Sequence, residues 1–248
     1  MEENSQHAGA QVEAVDASIA RPRSHHVLFT HVNWRVNAGE FWVVGGRQGS
    51  GKTSFLSTMA GLRRTAAGEV RHFGEDLSRL SEPQLLRQRA RVGFVFKSGG
   101  RMFAGLTVAE NVALPLCYHR EWTEEEAAPR VDAILRATEL ESEASATAQT
   151  LGWGWQQRVG LARALALNPE VLFLDEPLSG LEARDRQWWR GFLDTLSQGS
   201  PITEGRKMTI ITSTNDFGLW IGGNHRCGVL GDGNWQLIGE HEKCPDII

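Results

Sequence analysis

Phe41-Trp42-Val43-Val44-Gly45-Gly46-Arg47-Gln48-Gly49-Ser50-Gly51-Lys52-Thr53-Ser54 is the stretch on which the rest of the chain turns. Its apolar opening, residues 41–44, predicts a buried strand. A glycine-rich turn follows, and Gly51-Lys52-Thr53 opens a helix-forming segment. Gly46-x-x-x-x-Gly51-Lys52-Thr53 fits the phosphate-binding loop pattern without a mismatch. The glycines let successive backbone N–H groups point inward at an anion. The helix that follows adds the positive end of its dipole. Lys52 has the reach and charge for β- and γ-phosphates, and the Thr53 hydroxyl is a Mg²⁺ ligand in such loops. Residues 46–54, Gly46 through Ser54, are therefore the expected nucleotide-binding set. The alternative, a chance glycine turn between strand and helix, is disfavoured by Lys-Thr at this spacing.

Outward from the loop, strands alternate with helical stretches. Residues 27–36 predict a strand, expected to pair with 41–44 around the Asn37-Ala38-Gly39 turn. Residues 54–62 continue the loop helix, 68–73 form a short strand, and 81–89 a helix capped by Ser81 and Gln84. Residues 91–96 are a strand and 97–116 loop and short helix. Residues 123–140 and 151–166 are long helices. Thr123-Glu124-Glu125-Glu126 has the acids of a metal cluster, but Thr123 and Glu126 read as a capping box, with acids complementing the helix dipole. A strand at 171–174 ends in Asp175-Glu176-Pro177. A helix at 183–196 carries Trp188, Trp189, Phe192 and Leu196, read as packing rather than a cofactor box. A strand at 208–212 and a hairpin around Gly231-Asp232-Gly233 complete the chain. This order predicts an α/β fold with a mainly parallel sheet.

Composition narrows the function. The 248 residues are 41% hydrophobic with a formal net charge of −4, which disfavours a general nucleic-acid binder. Cys117, Cys227 and Cys244 show no C-x-x-C pair, so neither a disulfide framework nor a zinc site is expected, and a cytoplasmic setting follows. No apolar run approaches the ~20 residues that span a bilayer, so any membrane role must come through a partner. Residues 1–25 read as a polar tail without the apolar core of a signal peptide, and 26–248 as a single domain.

The strand ending at Asp175-Glu176 is the natural mate of the phosphate loop. Asp175 is suited to hold Mg²⁺ directly or through water, and Glu176 to polarise an attacking water. The two motifs, in this order, resemble the ATP-binding subunit of ABC transporters over residues 26–240. The resemblance implies the P-loop NTPase fold of the ABC type, with an N-terminal antiparallel β portion and a helical subdomain at about residues 98–165. It further implies ATP and Mg²⁺ as cofactors and a homo- or heterodimer of ATPase subunits. An integral membrane permease would be the partner, with the protein peripheral on the inner face of the cell membrane. The segment Gly105-Leu106-Thr107-Val108-Ala109-Glu110-Asn111-Val112-Ala113-Leu114-Pro115-Leu116 is similar to the Mla/Mce-type lipid-transport branch, with lipoprotein-export and macrolide-efflux types close behind.

Three motifs depart from the family pattern. Lys97 stands where the family has a glutamine that senses Mg²⁺; an amine cannot accept a metal but can contact a phosphate or a partner acid. Leu151-Gly152-Trp153-Gly154-Trp155 replaces the Leu-Ser-Gly-Gly-Gln signature. Thr214-Asn215-Asp216 replaces Thr-His-Asp, and Asn215 donates a hydrogen bond without histidine's charge. Glu182 stands for an aspartate, and only Arg21, Arg23 and His25 lie where an adenine-stacking aromatic belongs. Catalytic roles by resemblance fall on Glu176, Asn215 and Lys97. One reading is an ATP-driven coupling subunit for lipid or another hydrophobic substrate. Another is a nucleotide-binding regulatory or structural subunit with little turnover, and a P-loop kinase or a non-transport ATPase such as a repair-type dimer is a third.

Overall fold

The computed structural model describes residues 9–24, 26–100, 102–221, 223 and 225–239. These form two compact units, one running to Arg89 and resuming at Thr209, the other spanning Ala90–Met208.

In the first unit every residue of strand β3 (Phe41–Gly45) is buried. Burial on both faces is the mark of an interior parallel strand. Strand β3 lies between β8 (Thr209–Thr214) and β9 (Arg226–Gly231), parallel to both. Strand β10 (Asn234–Leu237) completes the hairpin around Asp232 and Gly233. The expected pairing of residues 27–36 with β3 is not formed. Strand β2 (Val27–Asn37) instead pairs antiparallel with β1 (Ala10–Ala20), although the chain does turn between Asn37 and Glu40. The antiparallel sheet runs β2-β1-β4-β5, with β4 at Ala67–His72 and β5 at Glu75–Asp76.

Strand β1 corrects the expectation of a tail over residues 1–25. Ala10, Val12, Ala14, Ala17 and Ile19 are its buried apolar residues, with Glu13 buried beside them, and alanines give a weak apolar signal. Register shifts between Ala14 and Ala17, with Asp16 at φ 48, break the two-residue alternation that would have revealed it. Residues 1–8 and His25 lie outside the described residues.

Helix α1 (Lys52–Met59) is held by an aromatic cluster. Phe55 packs against Trp34 at 5.5 Å, Trp235 at 4.8 Å and Phe29 at 6.0 Å between ring centres. Trp34 also meets Trp42 edge-on at 5.4 Å. Here several of the tryptophans serve as wedges between α1 and the strands, positioning the loop that precedes it. Helix α2 (Glu82–Ala90) starts as expected, with the Ser81 N–H donating to the Gln84 side chain at 2.9 Å.

In the second unit, strands β6 (Val92–Val95) and β7 (Val171–Leu174) pair in parallel, Val95 opposite Leu174. Helices α3 (Val108–Arg120), α4 (Glu124–Ala137) and α5 (Trp153–Leu165) enclose their own core, with Val112, Leu116, Ile134 and Val159 among the buried residues. Capping boxes start α3 at Thr107/Glu110 and α4 at Thr123/Glu126, the latter as expected. On α6 (Ala183–Gln198), Trp189 and Leu196 are core residues. Trp188 instead stacks on Phe192 and lies under the Arg158 guanidinium at 3.8 Å. Cys117 is a free thiol.

Asn111, fully buried on α3, organises the loop before that helix. Its amide donates to the carbonyls of Phe103, Leu106 and Thr107, and its oxygen accepts from the Phe103 N–H. Asn111→Ala strands these loop groups in the interior. It is expected to cost about 3 kcal/mol, seen as a lower urea midpoint at unchanged slope.

Candidate functional site

The phosphate loop leaves the C-terminal end of β3. The Gly46 N–H donates to the Thr214 carbonyl at 3.1 Å, anchoring the loop to the end of β8. A Cβ on Gly46 would lie 2.9 Å from the Leu230 carbonyl oxygen, so no larger residue fits this corner. Ser50 N–H closes a turn onto the Arg47 carbonyl at 3.1 Å. Gly51 caps α1 at φ 99, a conformation glycine adopts freely, and its N-cap position brings no side-chain acceptor. The first N–H groups of α1 are thus left without a side-chain cap, the arrangement that favours an anion.

Lys52 folds back into this loop. It is 4% exposed, and its ammonium donates to the carbonyls of Gly46 at 2.6 Å and Arg47 at 2.9 Å. The Ser50 hydroxyl is buried and has no hydrogen-bond partner among the described residues. A loop that holds one ammonium, an unsatisfied hydroxyl and uncapped amides is built to receive a polyphosphate. Arg47, Gln48, Gly49 and Thr53 are on the exposed side of the loop, while Ser54 is buried.

Strand register carries Asn215 alongside the loop, because Gly45 pairs with Thr214 and Gly46 and Asn215 follow directly. Asn215 is exposed. Its neighbour Asp216 is occupied locally, its carboxylate accepting from the Gly218 N–H at 2.8 Å.

In the second unit, the ends of β6 and β7 bring together Lys97, Asp175 and Glu176. The Asp175 N–H donates to the Val95 carbonyl at 2.8 Å. Asp175 and Glu176 are 2% and 8% exposed. Glu176 sits at φ 48, a left-handed conformation uncommon outside glycine. The Lys97 ammonium donates to Glu176 Oε2 at 2.7 Å. That pairing was not foreseen from the sequence. The sequence carries no signal for it, since Lys97 and Glu176 come together only once Val95 is in register with Leu174.

The diverged signature forms the start of α5, with Gly152 as N-cap and no side-chain cap. Trp153 and Trp155 are both partly exposed, at 47% and 39%. Arg158 is buried behind them, bonded to Glu139 at 3.0 Å and Asp185 at 3.1 Å, with Trp155 4.8 Å from its guanidinium. Glu182 is the N-cap of α6. Arg21 and Arg23 are exposed beyond β1.

Residues 29–179 match the ABC transporter family. Two curated relatives are import ATP-binding proteins. The spermidine/putrescine import ATP-binding protein PotA of Chromobacterium violaceum is 33% identical over 212 residues, covering 86% of this chain and 55% of that protein. The sulfate/thiosulfate import ATP-binding protein CysA of Nephroselmis olivacea is 38% identical, covering 87% of this chain and 59% of that protein. The chain thus spans little more than half the length of either relative. A solved dimer of the ATP-binding cassette MJ0796, in a post-hydrolysis state with ADP and Pi, superposes with a TM-score of 0.79 at 28% identity, covering 91% of this chain and 98% of that one.

Proposed function

Because this chain belongs to the ABC transporter family and has its ATPase fold, we propose that it couples ATP binding and hydrolysis to transport through a membrane partner. The observation that carries this is the loop at residues 46–54, with its inward Lys52 ammonium and a Ser50 hydroxyl that has no hydrogen-bond partner among the described residues. Backbone amides and Lys52 hold the phosphates. Thr53 and Asp175 are the assigned Mg²⁺ ligands. Among the described residues no group of three or more His, Cys, Asp or Glu gathers into a metal cage. Mg²⁺ that keeps phosphate and water ligands asks for only one or two protein oxygens. When bound, the ion would neutralise charge on the phosphates. Glu176 is assigned to polarise water and Asn215 to donate a hydrogen bond toward the developing charge.

No described helix is long and apolar enough to cross a membrane, so a separate integral permease is the proposed route to the bilayer, with two ATPase subunits acting as a pair. The relatives carry polyamine and sulfate import in their names. A lipid or other hydrophobic cargo is a second reading, supported by the resemblance of residues 105–116 alone. Slow turnover is favoured by Lys97 at the Glu176 carboxylate.

Steady-state phosphate release tests the proposal, measured on the subunit alone and on its co-purified membrane complex. We expect Mg²⁺-dependent turnover that rises several-fold in the complex. Turnover that is zero in both preparations would contradict the coupling role.

A further inference from the structure

We infer that Lys97 is a latch on Glu176, a positioning residue that holds the water-polarising carboxylate out of use in the resting subunit. The inference rests on the assignment of Glu176 as that base and adds its regulation.

The latch is a product of strand register. Val95 and Leu174 are paired, and the Asp175 N–H continues the ladder by donating to the Val95 carbonyl at 2.8 Å. Two steps past the paired residues, Lys97 and Glu176 stand across from one another. The 3-10 turn that begins at Lys97 and the left-handed φ of 48 at Glu176 bend both chains just there. The ammonium then meets Glu176 Oε2 at 2.7 Å. Both residues belong to the unit Ala90–Met208, so the contact is a property of that unit by itself.

The two ends of the contact differ in setting. The Glu176 side chain is 9% exposed and the Lys97 side chain 44% exposed. The carboxylate is fixed in the interior, while the amine reaches it from the surface. A carboxylate oxygen that accepts from an ammonium does not offer that lone pair to water. Glutamine at position 97 has neither the charge nor an ammonium's three donors. Because its amine is reachable from solvent, Lys97 can be drawn off by an anionic group on a docked protein partner. Exchange of one acid for another as the lysine's counter-ion is electrostatically cheap at a half-exposed site.

Two measurements decide the matter. Lys97→Gln should raise kcat for ATP about tenfold, the size expected of one charge-assisted hydrogen bond at a half-exposed site, with KM within about twofold. Lys97→Arg, which keeps the charge, should not reproduce the gain seen in Lys97→Gln, and that gain should vanish in the Lys97→Gln/Glu176→Gln double variant. Independently of turnover, acylation of Lys97 by an amine-reactive ester, read by mass spectrometry, should increase several-fold in Glu176→Gln. A fall or no change in kcat for Lys97→Gln overturns the latch, as does Lys97 labelling that ignores Glu176→Gln. If wild-type protein binds no Mg·ATP, the ATPase reading fails instead, and the labelling result still decides whether the ion pair exists in solution.

Discussion

Lys52→Ala is expected to weaken Mg·ATP binding by about two orders of magnitude while leaving the fold intact. Lys52 is 4% exposed, and its ammonium is held within the loop by the Gly46 and Arg47 carbonyls. Charge-assisted hydrogen bonds to phosphate in such a site are worth roughly 1.5–3 kcal/mol, and about 2.7 kcal/mol is a hundredfold in affinity. Alanine removes the ammonium, and the loop carbonyls it served can accept from water. The Gly46–Thr214 and Ser50–Arg47 backbone contacts that shape the loop do not involve the lysine side chain. Titration calorimetry should therefore show a weaker isotherm, with an unchanged circular dichroism spectrum. Undiminished affinity would mean that the loop is not where nucleotide binds.

Glu176→Gln should separate binding from chemistry. The exchange keeps the shape of a side chain that is nearly buried and leaves the left-handed backbone at this position in place. It removes the negative charge that polarises water. Loss of one well-placed catalytic group costs about a hundred- to thousand-fold in rate, so phosphate release should fall by that factor. Mg·ATP affinity should stay within a few-fold, since the phosphate contacts lie in residues 46–54. If turnover in Glu176→Gln equals the wild-type rate, Glu176 has no part in the reaction, and the low-turnover reading gains accordingly.

The parts of this molecule that sequence reveals are those determined locally. Gly46 to Ser54 announces itself because anion binding needs glycine, amide and lysine within one short turn. The capping box at Thr123/Glu126 and the hairpin at Asp232 and Gly233 are likewise decided within a few residues. Helix α5 and strand β7 are also visible, as an unbroken helical stretch and a continuous apolar run. What stays hidden depends on distant pairing. Strand β3 resembles the second arm of a hairpin until its real neighbour, β8, is known to lie far along the chain at Thr209–Thr214. Strand β1 is built from alanines and interrupted by a bulge, so neither hydropathy nor alternation marks it. Lys97 and Glu176 are far apart in the chain and meet only because Val95 is in register with Leu174. The tryptophans stand out in composition, yet composition cannot say that Trp34 and Trp235 brace the loop helix while Trp153 and Trp155 face solvent.

Equilibrium titration of the wild-type chain with ATP, once with Mg²⁺ and once with the metal chelated, goes most directly to the centre of this account. It predicts saturable binding at one site per chain that tightens markedly when Mg²⁺ is present. A chain that shows no saturable binding of adenine nucleotide, or binds it equally well with and without the ion, contradicts it.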